Sequence, residues 1–291
     1  MVSQSQTDSL IERMARIIWL GDYSEKRYMT MLFAAYFDAS GKKEGYPVLT
    51  VAGAVAPLKK WIRFEKQWTE TLRGAGVSEF HATDFAASEG EYKEWRDDKA
   101  RRSAFLEQLI HIIKHNANKL FSVSVELDAW RKIDSEYLLT EAFYSPYALA
   151  GFAVVGQTLK WAHRKRVRIP EFIFEEGDEG WDGLLKLCSS WAKVTPIRLP
   201  KTKAIPCQIG DMLAWKSRIT ASNSLRHLER MDQSITSASV IAPFISSDLA
   251  SLRKLLVRPG TANIFAADAL RQSCQRNNIP RRTTNGTHTL S

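Results

Sequence analysis

Two apolar runs of strand length frame the chain: Leu32 to Asp38 and Val48 to Val55, both rich in small and β-branched residues. The loop between them is short and carries Ser40, Gly41, Lys42, Lys43 and Gly45. Strands joined so briefly pair antiparallel, so a β-hairpin is predicted. Pro57 then opens a helix, as proline does at a first turn. Trp61, Phe64, Trp68 and Leu72 recur along it at three- and four-residue spacing, and Gly74 and Gly76 end it. That aromatic stripe reads as core packing rather than a base-stacking platform.

Beyond this point helices and strands alternate. Ser78 to Thr83 reads as a short extended piece. Lys99 to Asn116 is a helix that turns Phe105, Leu106, Leu109, Ile110 and Ile113 inward. Leu120 to Leu127 alternates as a half-buried strand. Tyr137 to Lys165 reads as one long, mostly apolar helix. Phe172 to Phe174 is a buried strand, Gly180 to Lys193 a helix, Pro196 to Leu199 a short strand and Cys207 to Ile219 a further helix. A hairpin followed by such alternation predicts one α/β domain, a mixed β-sheet flanked by helices.

At 291 residues, 44% of them hydrophobic and 25% charged, the chain can bury a sizeable core without staples, which excludes global disorder. Residues 1–30 read as a poorly ordered N-terminal extension, with one amphipathic stretch at Leu10 to Leu20. Residues 221–275 read as a C-terminal helical extension and 276–291 as a disordered tail. The three cysteines, Cys188, Cys207 and Cys274, form no C-x-x-C pair and no disulfide framework, which points to a reducing, cytoplasmic compartment. The most apolar stretch, Leu138 to Gly156, contains Glu141, Ser145 and Pro146, so no membrane span is expected.

Carboxylates stand at the ends of three apolar elements. Asp38 closes the first strand, in Tyr36-Phe37-Asp38-Ala39-Ser40-Gly41. A strand interior disfavours aspartate, so one at the strand end is either a directed carboxylate or a turn former. Glu175-Glu176-Gly177-Asp178-Glu179 follows Phe172-Ile173-Phe174 directly. Four acids in five residues repel one another unless a cation sits among them or the loop is solvated. Their spacing excludes an EF-hand. Asp211 lies about a turn into the helix opened by Pro206, on one face with Gln208 and Trp215. Gly210, beside it, offers no side chain and lets that face approach a sheet closely. Converging carboxylates repel and raise each other's pKa unless divalent cations neutralise them, and hard oxygen ligands suit Mg²⁺ or Mn²⁺.

The segments YFDASG, FHATDF, FIFEEGDEG and PCQIGDMLAW, in this order across roughly residues 32 to 220, resemble the bacterial domain-of-unknown-function family DUF3800. That resemblance implies a ribonuclease H-like domain over residues 31–220. It implies Asp38, Glu175 and Asp211 as metal ligands of a two-metal phosphoryl-transfer site, with Glu176 competing for the middle position. The family's first motif is of the Asp-Glu-Ser-Gly type, and Ala39 stands where its second acid would be. Its late motif resembles Gln-Ile-Ala-Asp-Leu, matched by Gln208-Ile209-Gly210-Asp211-Met212. His81 and Asp84 fall in its His-containing middle motif, His81 as a base, a ligand or a structural histidine. Ser40, Gln208 and Asp84 are expected to orient ligands from behind.

The expected activity is therefore a Mg²⁺- or Mn²⁺-dependent nuclease with nucleic acid as partner. Two alternatives stay open: a non-catalytic binding module, which Ala39 motivates, and a hydrolase of small phosphoesters. No Walker-type loop, G-x-G-x-x-G or G-x-S-x-G is present, which disfavours nucleotide, dinucleotide and serine-hydrolase chemistry. His111 and His115 share a helical face without a third zinc ligand and read as structural. The basic run His163-Arg164-Lys165-Arg166 is either a phosphate contact near the acidic strand or a solvated helix end. Lys42, Lys43, Lys201 and Lys203 carry the same pair of readings. The net charge of +9 points to an acidic partner, yet residues 251–291 hold seven Lys/Arg against one Asp, so much of it lies outside the motif region.

Overall fold

The computed structural model describes residues 32–41, 45–232 and 262–282. The expectations for residues 1–30, for Lys42 and Lys43 and for the end of the tail lie outside these residues. The hairpin is present as β1 (Leu32–Ser40) and β2 (Val48–Pro57). Helices α1 (Leu58–Ala75), α2 (Ala82–Ala87) and α3 (Lys99–Asn116) lead to β3 (Lys119–Glu126). Next come α4 (Leu127–Glu136), α5 (Leu139–Phe143), α6 (Pro146–Lys165), β4 (Arg168–Glu175), α7 (Trp181–Leu187) and β5 (Ile197–Leu199). The described chain ends with α8 (Cys207–Asp232), β6 (Ala262–Phe265) and α9 (Ala267–Arg276).

The six strands form one sheet in the order β5-β4-β1-β2-β3-β6. The β1–β2 and β2–β3 pairs are antiparallel. The β1–β4, β4–β5 and β3–β6 pairs are parallel. This is the mixed, helix-flanked sheet expected from the sequence.

Strand β1 lies inside the sheet and is buried on both faces. Because side chains alternate along a strand, Ala34 and Tyr36 join one core with Trp61, Phe64, Trp68, Met212 and Leu213, under α1, α3 and α8. Phe33, Ala35 and Phe37 join a second core with Val154, Val155 and Leu184, under α6 and α7. Buried side chains of this size contribute about 1.5–3 kcal/mol each, so the two cores clamp β1. The same alternation carries Asp38 onto the α8 face.

Three elements differ from the sequence reading. The long helix from Tyr137 is broken. Tyr144 takes a left-handed backbone (φ 66°), and Ser145 caps a new helix by accepting the Ala148 N–H at 3.1 Å, with Pro146 in the first turn. Residues 78–81 are not a strand, and Ala82–Ala87 is a short helix. The segment read as a C-terminal helical extension, weak helices alternating with polar turns, contributes β6 to the sheet edge beside β3. Residues 277–282 continue along α4: Leu138 N–H donates to the Pro280 carbonyl and Arg282 N–H to that of Glu136.

Candidate metal centre

The site lies where β1 and β4, parallel neighbours, both end. Asp38 is 1% exposed, and its Oδ1 accepts the Ala39 N–H at 2.6 Å. Strand β4 delivers Glu175 on the same face, since Ile173, two residues earlier, packs with Ala34 and Tyr36. Glu176 lies in the turn just past the strand and is exposed. Gly177 then turns the chain with φ 104°, which favours glycine. The turn brings Asp178 inward, where it is buried. One ligand oxygen each from Asp38, Glu175 and Asp178 lies within 4.8 Å of the others. Asp178, rather than Glu176, thus groups with Asp38 and Glu175, because Glu176 falls in the exposed turn just past the end of β4.

Asp211 arrives from α8. The approach depends on Gly210, where a Cβ would sit 2.6 Å from the Asp38 backbone nitrogen, 2.8 Å from the Asp38 Cβ and 3.0 Å from the Ala52 carbonyl oxygen. Asp211 Oδ2 accepts the Ala82 N–H at 3.0 Å. Burial pushes the Asp211 carboxyl above the ordinary aspartate range; Lys201 opposes this and Asp38 adds to it.

Lys201 joins these acids. Its ammonium lies 3.1 Å from Asp38 Oδ2, 3.3 Å from Asp211 Oδ2 and 3.4 Å from Glu175 Oε1, and the residue is 8% exposed. Burial works against a charged lysine, but attraction to Asp38, Asp211 and Glu175 outweighs it and holds the amine above its ordinary value. The sequence reading offered Lys201 as a peripheral phosphate contact or a solvated residue. Instead it is the cation at the centre of the carboxylates, while Lys203 is exposed.

The remaining predicted residues take other places. The Gln208 Oε1 accepts the indole N–H of Trp68 at 2.7 Å and the Phe80 N–H at 2.9 Å. Gln208 thus ties the segment before α2 to α8 rather than reaching for a ligand. Ser40 Oγ accepts the Nε–H of Arg218 at 3.0 Å, whose guanidinium lies 4.1 Å from the centre of the Tyr46 ring. His81 lies at the start of α2 and is half exposed, with its Nδ1 3.3 Å from Asp84 Oδ1. Ala39 belongs to the second core on the opposite face from Asp38.

The basic run does not approach the acids along β4. Arg164, Lys165 and Arg166 close α6, with Arg166 in the left-handed region (φ 54°). They precede the start of β4, whereas Glu175 is at its far end, roughly 23 Å away at 3.3 Å per residue. Cations at a helix C-terminus complement the helix dipole there.

The donor set fits a hard divalent cation. It offers hard carboxylate oxygens and little softer competition, and the Lys201 ammonium seated on some of those oxygens shows that they hold a cation. Cys207 is adjacent, but burial, with Asp38 and Glu175 adding to it, keeps its thiol protonated. One further group points the same way. The Tyr147 hydroxyl is buried and has no hydrogen-bond partner among the described residues. Burial raises its pKa, and the charges of Asp38 and Glu175 raise it further.

No family model matches the chain, and no curated protein matches it. Among solved structures, Bst-RNase HIII in complex with Mn²⁺ is similar at a TM-score of 0.40 and 10% identity, over 89% of this chain and 75% of that one. No helix among the described residues is long and apolar enough to cross a membrane.

Proposed function

We propose that this protein is a divalent-cation-dependent phosphodiesterase that hydrolyses nucleic acid. One observation carries the reading: Asp38, Glu175 and Asp178 converge at the shared end of β1 and β4, with Asp211 joined to them through a seated ammonium. Converging carboxylates repel one another and are pushed toward protonation unless cations sit among them. Bound there, Mg²⁺ or Mn²⁺ supplies Lewis acidity, which makes a water nucleophilic near neutral pH and offsets charge on a phosphate.

The chain's own residues do the rest. Asp38, Glu175 and Asp178 hold the ion. Asp211, kept in place by the Ala82 N–H, holds Lys201. Lys201 brings positive charge to a phosphate that would otherwise meet only carboxylates. Gln208 and Gly210 set the distance between α8 and β1. Hydrolysis forms one P–O bond to the water oxygen and breaks another; the water gives up a proton and the leaving oxygen takes one up. The basic excess of the chain suits a polyanionic substrate better than a small phosphoester.

The rival reading, a binding module, draws on Lys201 itself, since its ammonium pairs with three acids without any metal. The test is cleavage of labelled single- and double-stranded DNA, RNA and RNA–DNA hybrid with Mg²⁺ or Mn²⁺, repeated in chelator. Cleavage that needs the metal and is lost in Asp38→Asn supports the hydrolase. Binding without cleavage under every metal condition supports the module.

A further inference from the structure

We infer that the Lys201 ammonium permanently fills one of two cation positions in this site, so that the folded chain takes up one divalent ion, not two. The inference rests on the metal-dependent reading above and specifies how many ions that reading requires.

Two cation positions can be traced, and they share acids. The first is bounded by Asp38, Glu175 and Asp178. The second is bounded by Asp38, Glu175 and Asp211, and the Lys201 nitrogen is in it, 3.1–3.4 Å from one oxygen of each. Two cations bridged by common carboxylates is the layout of a two-metal clamp on a phosphodiester, with ions about 3.5–4 Å apart. A divalent ion about 2.1 Å from the oxygens that face Lys201 would overlap the ammonium and repel it. The second position is therefore closed to metal while Lys201 stays.

The fold holds Lys201 there. Leu199 of β5 pairs with Glu175 of β4, and its carbonyl accepts the Glu176 N–H at 2.9 Å. This register sets the residues after Leu199 against the acidic strand end. The chain then turns tightly, with the Pro200 carbonyl accepting from Lys203 N–H at 2.8 Å and Ala204 N–H at 3.1 Å. Lys201 lies within that turn, and it is nearly fully buried, which is rare for lysine. A further polar group lies near the acids of the first position. The buried Tyr147 hydroxyl, near enough to Asp38 and Glu175 to feel their charge, makes no hydrogen bond among the described residues. A hydrated ion would place a water within its reach.

The experiment is a Mn²⁺ titration of the full chain, counting bound ions from loss of the free-ion paramagnetic resonance signal, for wild type and Lys201→Ala. The expected counts are one for wild type and two for Lys201→Ala. The variant should also melt about ten degrees lower in chelator, because it strands buried acids, and recover most of that loss with Mn²⁺. Two ions on wild type would overturn the inference but leave the metal-dependent reading standing. One ion on a folded Lys201→Ala would do the same. No ion on wild type would defeat the metal-dependent reading itself. If Lys201→Ala does not fold, the wild-type count alone decides.

Discussion

Gln208→Leu tests whether Gln208 is a structural tie, and its cost can be worked from the geometry. One oxygen accepts two buried donors, the Trp68 indole N–H at 2.7 Å and the Phe80 N–H at 2.9 Å. Leucine nearly fills the space but accepts nothing. Each stranded buried donor costs about 1–3 kcal/mol, so the pair costs about 2–6 kcal/mol. In a chain of this size a loss of 1 kcal/mol lowers the melting temperature by about 2–4 °C, so a drop on the order of 10 °C is expected. Thermal unfolding followed by circular dichroism measures the loss. Amide hydrogen exchange locates it: protection at Phe80 and Ala82 should fall first, because their segment loses its tie to α8. A Gln208→Leu protein as stable as wild type, with Phe80 still protected, would refute the reasoning and return Gln208 to a ligand-orienting role.

Three further outcomes follow from the same geometry. Gly210→Ala gains about 1 kcal/mol of helix propensity but forces a Cβ against Asp38 and Ala52 backbone atoms, at about 1–3 kcal/mol, so denaturant unfolding should show no gain and most often a net loss; a clear stabilisation would mean that α8 does not press on β1. Asp178→Asn should weaken Mn²⁺ binding at least about tenfold in calorimetry, while Glu176→Gln leaves it unchanged; the reverse order would restore Glu176 as the ligand. Burial raises the pKa of Glu171 in the folded state, so the protein gives up stability as pH rises through that pKa, and Glu171→Gln should be the more stable protein at pH 7. The gap between the two melting curves should close as pH falls below the unfolded-state value of about 4.3, and a gap that widens toward acid would contradict the assignment.

Local signals placed much of this site. Asp38 ends an apolar strand, Glu175 ends another, and Gly210 beside Asp211 marks a close approach of helix to sheet. Asp178 was readable as well. Glu176 and Gly177 form the turn after Glu175, and Gly177 in the left-handed region lets the chain return Asp178 to the acids. Ser145-Pro146 is likewise an N-cap and first-turn pair inside what looked like one continuous helix. Lys201 is different. A lysine two residues past a three-residue strand carries no local pattern, and its position follows from the β4–β5 register and from α8 arriving across the strand ends. Strand β6 was hidden for the same reason, since a four-residue segment joins a sheet only through a distant partner. The basic run at Arg164 to Arg166 looked close to the acids in sequence, but the length of β4 separates them.

The central claim, a divalent ion held by Asp38, Glu175 and Asp178 beside a lysine that stays in place, is tested most directly by crystals soaked in Mn²⁺ and measured at the manganese absorption edge. The account predicts one anomalous peak among those three carboxylates, with the Lys201 ammonium still in contact with Asp211. A peak between Asp38 and Asp211 with Lys201 swung out, or no peak at these acids, would contradict it.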